Sequence, residues 1–242
     1  MSSAFANVDY VEFEVTRALE WLRAERDERR LAACLVLREL ARNAPTIFFA
    51  KTNQSAGGPN AFVDGIFPVL RSGSQRVRVC AAEALSECLK ILALRKARFN
   101  TDKFCKVYAS MQSGLTSDNA STAHGSLLVV KSMLDHTGDF MLPRFEEVCE
   151  AVLALHEHKK TAVRYTVAEL IPCLARRCPA AFGRRYLGKC LRFLTKNAAD
   201  AKSKHATDLR PTCFIAIGQL LMALGGSGEG GGVYDYLEEV RA

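Results

Sequence analysis

The stretch RLAACLVLRELA, residues 30–41, decides the fold of this chain. It consists of helix-forming residues and is apolar on nearly every side except at Arg38 and Glu39. A helix that is apolar almost all round must be covered by neighbours on more than one face. The stretch therefore predicts an inner helix that packs between other helices, and we expect its residue Leu35 to be buried.

A related pattern returns four times further along the chain. The residues that align with Leu31–Leu40 are Val79–Cys88, His124–Met133, Tyr165–Leu174 and Pro211–Leu220. The starts of successive copies are separated by 48, 45, 41 and 46 residues. These intervals approach the period of roughly 40–47 residues of the paired helices in HEAT and armadillo repeats. We therefore predict an all-α protein, an α-solenoid of about five HEAT-type helical hairpins with an armadillo-like superhelix.

Helical spacing of apolar residues and the positions of turn-forming residues predict where each hairpin lies. The predicted pairs cover about 8–42, 61–94, 102–135, 143–177 and 180–224, which gives a HEAT-repeat solenoid over residues 1–224. The stretch KTNQSAGGPN (51–60) predicts a loop, and residues 225–232 predict a flexible glycine-rich linker. Residues 233–242 look like the start of a further, truncated repeat. Because solenoids normally end in a repeat with a polar outer face, we expect a fragment of a longer protein.

Composition limits the environment of the protein. No apolar run approaches the ~18–20 residues of a membrane-spanning helix, and the N-terminus lacks a basic-then-apolar signal pattern. The nine cysteines include no Cys-x-x-Cys pair, and an odd number is a poor disulfide framework. We expect reduced, packed thiols in a cytoplasmic protein without a membrane span, which reaches endomembranes only through its partners.

No group of residues in the sequence predicts catalysis, a metal site or a cofactor site. Residues 226–231 satisfy G-x-G-x-x-G on paper, but a strand does not precede them and a helix does not begin within them. His156 and His158 are one residue apart at a predicted helix end, which directs them to different sides of the helix. We therefore expect no catalytic residue, no cofactor and no metal, and a chain that is not itself an enzyme.

One basic stretch accounts for the formal net charge of +7. Residues 176–205 contain nine basic residues and one acidic residue, which gives +8. The candidate interaction patch consists of Arg176, Arg177, Arg184, Arg185, Lys189, Arg192 and Lys196. It is interpreted in three ways that the sequence leaves open: a solvated outer face, a site for an acidic protein partner, or a nucleic-acid footprint. The few aromatic residues in the stretch are predicted to point inward, which weakens the case for stacking on single-stranded nucleic acid.

Four segments resemble a known family. RLAACLVLRELARNAPTIFF (30–49), AFVDGIFPVLRS (61–72), HGSLLVVKSML (124–134) and TVAELIPCLARRCPAAF (166–182) resemble the N-terminal HEAT region of the target-of-rapamycin (TOR) Ser/Thr kinases. The resemblance implies a piece of the helical scaffold that precedes the catalytic part of a phosphatidylinositol-3-kinase-related kinase. It implies contacts with a Raptor-type scaffold subunit, a Rheb-type small GTPase and a second copy of the parent protein. No kinase region has a counterpart in this sequence.

The resulting hypothesis is a non-catalytic HEAT-repeat scaffold segment that mediates protein–protein contacts in TOR-complex growth and nutrient signalling. The alternative is a generic HEAT adaptor, such as a transport receptor or a chromosome-associated protein. That adaptor would use the basic 176–205 stretch to bind an acidic partner or nucleic acid.

Overall fold

The computed structural model describes residues 8–54, 58, 61–95, 100–199 and 206–225. Over these residues the chain forms twelve α-helices and one 3-10 helix, and no strand. The predicted all-α class is therefore confirmed. The predicted linker (225–232) and truncated repeat (233–242) lie outside the described residues, apart from Gly225 at the end of the last helix.

The chain divides into two compact units, Met1–Gly138 and Asp139–Ala242. The first unit contains seven of the helices: α1 (Val8–Trp21), α2 (Asp27–Asn43), α3 (Pro45–Gln54), α4 (Ala61–Ser72), α5 (Gln75–Leu94), α6 (Asn100–Leu115) and α7 (Ala120–His136). Three antiparallel hairpins are formed by α1 with α2, α4 with α5, and α6 with α7. The second helices of these hairpins also contact one another in order, because α5 packs against both α2 and α7. This stacking of inner helices is the arrangement expected of helical repeats.

The second unit repeats the arrangement with two hairpins. After a 3-10 helix (Gly138–Arg144), it contains α8 (Phe145–Ala154), α9 (Thr161–Arg177), α10 (Pro179–Arg185), α11 (Leu187–Ala199) and α12 (Ala206–Gly225). Helix α8 pairs with α9, α11 pairs with α12, and the inner helices α9 and α12 pack together. The continuation of one solenoid through residues 1–224 stays a prediction.

Two details of the sequence-based prediction are wrong. The predicted loop at 51–60 begins too early, because α3 continues to Gln54. Leu35 is only half-buried, whereas Leu37, Ala33 and Cys34 are fully buried on α2. The stretch is apolar on so many sides that its composition does not reveal which side faces the core. The direction of the core is decided by where α1 and α5 contact α2.

In each of three hairpins, an arginine near the start of the second helix donates a hydrogen bond to the backbone of the turn. Arg30, Arg78 and Arg164 occupy the position just before the aligned repeat segments, near the start of α2, α5 and α9. Each donates a hydrogen bond to a backbone carbonyl five or six residues earlier, which belongs to Ala24, Gly73 and His158 respectively. Carbonyls in a turn between two helices lack intrahelical partners, so these bonds satisfy groups that the turn would otherwise leave unpaired.

The inner helix α7 packs closely against α4 at Gly125. A Cβ atom added at Gly125 would overlap with the backbone carbonyl oxygen of Leu70 on α4. One residue earlier, His124 is buried and its Nδ1 atom accepts a hydrogen bond from Nε of Arg78, at 3.1 Å. Burial and the nearby guanidinium lower the pKa of His124 to about 4. His124 is therefore neutral at physiological pH and serves as a packing residue.

Candidate functional site

The seven basic residues of the predicted patch lie on three helices. Arg176 and Arg177 are in the last turn of α9, Arg184 and Arg185 end α10, and the remaining three are on α11. Spacings of three and four residues put Lys189, Arg192 and Lys196 on one face of α11, and Arg185 at the end of α10 precedes Lys189 by four residues. All four side chains are exposed. We call these four residues the α11 stripe.

The inward face of α11 explains why the stripe is exposed. Cys190, Leu191 and Leu194 are fully buried. The stretch also contains the aromatic residues Phe182, Tyr186 and Phe193, and all three are buried. The sequence-based expectation that they point inward is confirmed. An exposed aromatic platform for stacked bases is therefore absent from the described part of this stretch.

The two ends of the α11 stripe pair with acidic residues of the preceding hairpin. Arg185 forms an ion pair with Glu146 of α8, and Nζ of Lys196 lies 3.7 Å from Oε1 of Glu157. The middle two residues, Lys189 and Arg192, have no carboxylate within 4.0 Å among the residues that the structure describes. The stripe therefore presents two uncompensated cations between two cations that are held in exposed ion pairs.

The other predicted residues are not part of this face. Arg177 is partly buried, and its Nη2 atom lies 3.7 Å from Oδ1 of Asp139 in the 3-10 helix. Arg176 is exposed on α9, and its Nη2 atom lies 3.2 Å from Sγ of Cys173. Arg184 is exposed and adjoins the stripe. The linear charge count therefore combines residues that the fold assigns to different surfaces.

The remaining chemistry of the described residues is structural. All nine cysteines are free, and six of them are buried. Burial raises the pKa of Cys34, Cys88 and Cys190 to about 12, so these thiols stay protonated and weakly nucleophilic at neutral pH. Three or more metal-binding side chains do not come together anywhere in the described part of the chain.

Comparison with solved structures finds a protein of the same fold. A crystal structure of an engineered protein superposes with a TM-score of 0.53, at 16% sequence identity, over 93% of this chain and 88% of its own. At that identity the likeness shows a shared fold alone. Because the described helices form hairpins whose inner helices stack, the class of protein is a helical-repeat protein, whose exposed helix faces are its candidate binding surfaces.

Sequence comparison identifies which helical-repeat protein this segment resembles. It is 36% identical over 221 residues to the serine/threonine-protein kinase TOR of Arabidopsis thaliana, and 31% identical over 217 residues to the kinase tor1 of Schizosaccharomyces pombe. These matches cover 90% and 89% of this chain but only 8% and 9% of the relatives. No protein-family model matches the chain. The chain is homologous to a segment of the TOR kinases, and that segment is not the kinase domain.

None of the described helices combines the length and the low polarity needed to cross a bilayer. The homology and the repeat fold together support a helical scaffold segment.

Proposed function

We propose that this chain is a non-catalytic scaffold segment that mediates protein–protein contacts in TOR-complex growth and nutrient signalling. The α11 stripe is its docking site for an acidic segment of a protein partner. A Raptor-type scaffold subunit is the first candidate, and a Rheb-type small GTPase and a second copy of the parent protein are the other two. The setting is cytoplasmic, with endomembranes reached through the partners.

The observation that supports the docking site is the pair of unpaired cations at its centre. Lys189 and Arg192 are exposed, and among the described residues no carboxylate of this chain compensates them. An approaching carboxylate can bind there without first breaking an ion pair. Complementary charge of this kind accelerates association and selects partners more than it adds affinity. We therefore expect binding that weakens as the salt concentration rises.

The experiment is a pull-down of a Raptor-type subunit by the full chain, followed by titration at two salt concentrations. The double variant Lys189→Glu/Arg192→Glu should reduce association at low salt at least about tenfold. A matched control is Arg76→Glu/Lys131→Glu, which changes the net charge equally at exposed positions of α5 and α7. Equal losses of association in both double variants would show that the effect depends on net charge alone, and would contradict the proposed docking site. If the Raptor-type subunit did not associate with the wild-type chain, the proposed partner would be wrong.

A second titration distinguishes this proposal from the alternative of a generic adaptor with a nucleic-acid site. Duplex DNA is offered to the same two variants over a range of salt concentrations. A steep loss of affinity with salt that depends on Lys189 and Arg192 would favour that alternative. The buried positions of the aromatic residues in this stretch argue against single-stranded nucleic acid.

A further inference from the structure

Helix α3 lies outside the two-helix pattern of the repeats, because it follows the inner helix α2 before the next hairpin begins. It contacts α1, α2, α4 and α5, so it lies within the stack of the first unit and not at its end. Thr46, Phe49 and Asn53 are three and four residues apart, which puts them on one face of α3. Thr46 is exposed, and Phe49 and Asn53 are half-buried. This face therefore offers a hydroxyl group, an aromatic ring and an amide to neighbouring side chains.

Two cations from two other helices meet on this face of α3. The Cζ atom of Arg95, which follows the last residue of α5, lies 4.3 Å from the ring centroid of Phe49. Its Nη2 atom donates a hydrogen bond to Oγ1 of Thr46, at 3.2 Å. The Nζ atom of Lys103, on α6, lies 5.4 Å from the same ring centroid and donates a hydrogen bond to Oδ1 of Asn53. We call these five residues the Phe49 site.

The positive charge of the Phe49 site has no counter-charge. Neither Arg95 nor Lys103 has a carboxylate within 4.0 Å among the residues that the structure describes. Because both cations lie beside the same ring, their charges are less than 10 Å apart. Burial lowers the pKa of Lys103, and no carboxylate beside it opposes this shift. Two like charges held this close together favour the binding of an anion between them.

The spacing and the free donors of the site suit a phosphate group. Arg95 and Lys103 each have further N–H groups to donate, and Thr46 can donate its hydroxyl hydrogen while it accepts from Arg95. A phosphate with a hydrogen bond on each side spans about 8 Å between the two donor nitrogens. A phosphate monoester carries about −1.5 to −2 charges at neutral pH. It therefore compensates both cations, whereas a single carboxylate compensates one.

The surroundings favour one phosphorylated side chain over a membrane surface. The next lysines along the two helices are already held in ion pairs, Lys51 of α3 with Glu12 and Lys106 of α6 with Asp64. Binding to an anionic lipid surface draws on several cations, each of which adds a similar small contribution. Here the uncompensated charge is confined to two residues. Leu94, which precedes Arg95 and is 76% exposed, offers an apolar contact to a residue that flanks the phosphate in a peptide.

We propose that the Phe49 site binds the phosphate of a phosphorylated serine or threonine in a protein partner. Arg95 and Lys103 donate charge-assisted hydrogen bonds to the phosphate oxygens, and Thr46 donates a further one. The inference rests on the proposed role in protein–protein contacts. It uses none of the residues of the α11 stripe, so the failure of one site leaves the other intact.

The test measures binding of short, fluorescently labelled peptides to the full chain by anisotropy. One peptide carries a central phosphoserine between glycine and leucine residues, and two reference peptides carry serine or aspartate at that position. We expect the phosphoserine peptide to bind at least about tenfold more tightly than the serine peptide, and inorganic phosphate to displace it. The double variant Arg95→Gln/Lys103→Gln should weaken binding of the phosphoserine peptide at least about tenfold. Thr46→Val should cause a smaller loss, because it removes one donor.

A matched control is Arg76→Gln/Lys131→Gln, which removes the same charge at exposed positions of α5 and α7. It should leave peptide binding unchanged, as should Lys189→Glu/Arg192→Glu in the α11 stripe, and circular dichroism verifies that each variant keeps its helix content. The proposal is overturned if the serine or aspartate peptide binds as tightly as the phosphoserine peptide, or if the control variant loses as much binding.

A lipid source of the phosphate is tested with phosphatidylcholine vesicles that contain phosphatidylinositol 4-phosphate. We expect these vesicles not to bind the chain through Arg95 and Lys103. If they sediment with the wild-type chain but not with Arg95→Gln/Lys103→Gln, and the phosphoserine peptide does not bind, the site recognises a lipid headgroup and the proposed protein partner is wrong.

Discussion

The two compact units differ in whether ion pairs join their inner helices. In the first unit Arg38 and Arg42 of α2 bind Glu83 and Glu87 of α5, and the outer helices are also joined, by Lys106 of α6 and Asp64 of α4. In the second unit the pairs join the outer hairpin helices, from Arg185 to Glu146 and from Lys196 to Glu157. Ion pairs therefore link neighbouring repeats on both sets of helices in the first unit, whereas among the described side chains of the second unit none links the inner helices α9 and α12.

This difference indicates which charged side chains of each unit remain available to bind a partner. In the first unit, Arg38 and Arg42 of the inner helix α2 are held in ion pairs. In the second unit, among the described residues, the outer ion pairs leave Lys189 and Arg192 without a carboxylate partner, and the inner helix α12 exposes Ile215 and Met222. The α11 stripe thus lies in the second unit. The predictions below test how differently the two units are built.

The largest effect is expected at the closest approach of helices in the first unit. Gly125→Ala places a methyl group against the carbonyl oxygen of Leu70, which a backbone shift must relieve. We expect a loss of about 3 kcal/mol or more in the free energy of unfolding, measured by urea denaturation. The counterpart in the second unit is Gly188→Ala on α11, where the added atom meets nothing within 4 Å. It should be neutral or stabilise by up to about 1 kcal/mol. Equal effects would contradict the close packing of α7 on α4.

The second prediction concerns which face of α2 is the core. Leu37→Ala should destabilise the protein by about 2–5 kcal/mol because Leu37 is fully buried. Leu35→Ala should cost clearly less, because Leu35 is only half-buried. Thermal and urea denaturation of both variants measure the difference. A larger loss for Leu35→Ala would show that α2 is rotated about its axis relative to the described structure.

The third prediction is a pH dependence in the first unit. The pKa of His124 is about 4 in the folded protein and 6.5 ordinarily, so between these values only the unfolded chain binds the proton. The stabilisation that comes from the low pKa of His124 is therefore complete above pH 6.5. It is lost as the pH falls toward 4, by about 3 kcal/mol in total. Burial also lowers the pKa of His136, which acts in the same direction.

The contribution of His124 is isolated by comparing urea midpoints of the wild type and His124→Gln from pH 7 to pH 4. The variant should be less stable at pH 7 and should lose less stability on acidification. A suitable control is His158→Gln, a change in the second unit outside the core. Parallel curves for the wild type and His124→Gln would show that His124 does not bind Arg78 as a neutral ring.

The smallest effect distinguishes the two sets of ion pairs. Arg42 and Glu87 lie 2.7 Å apart and the Glu87 side chain is 17% exposed, whereas Lys196 and Glu157 lie 3.7 Å apart with both side chains more than 70% exposed. Double-mutant cycles with alanine should give a coupling of about 0.5–1 kcal/mol for the first pair and none measurable for the second. A stronger coupling for Lys196–Glu157 would reverse the comparison between the units.

The sequence predicted the helical class and the repeat because both depend on local spacing. Apolar residues at helical intervals identified the inner helices, and the intervals between copies identified the hairpins. The same reasoning misplaced the core on α2, since a helix that is apolar on many sides offers no directional signal. It also grouped Arg177 with the α11 stripe, although Arg177 pairs with Asp139. The exposure of Ile215 and Met222 on α12 was missed, although Met222 could have been found by comparing the aligned copies at the position of Arg42 and Lys90.

The amino-acid sequence by itself determined that this protein is a set of stacked helical hairpins, because helix formation and the need to bury an all-round apolar helix follow from residue order. Only the tertiary structure decided which charges remain free. A basic residue is compensated or not according to the helix that the fold brings beside it, so Arg185 and Lys196 are paired whereas, among the described residues, Lys189 and Arg192 are not. In the same way, burial of an apolar residue depends on a neighbour far away in the chain, which explains why Leu37 is core and Met222 is surface.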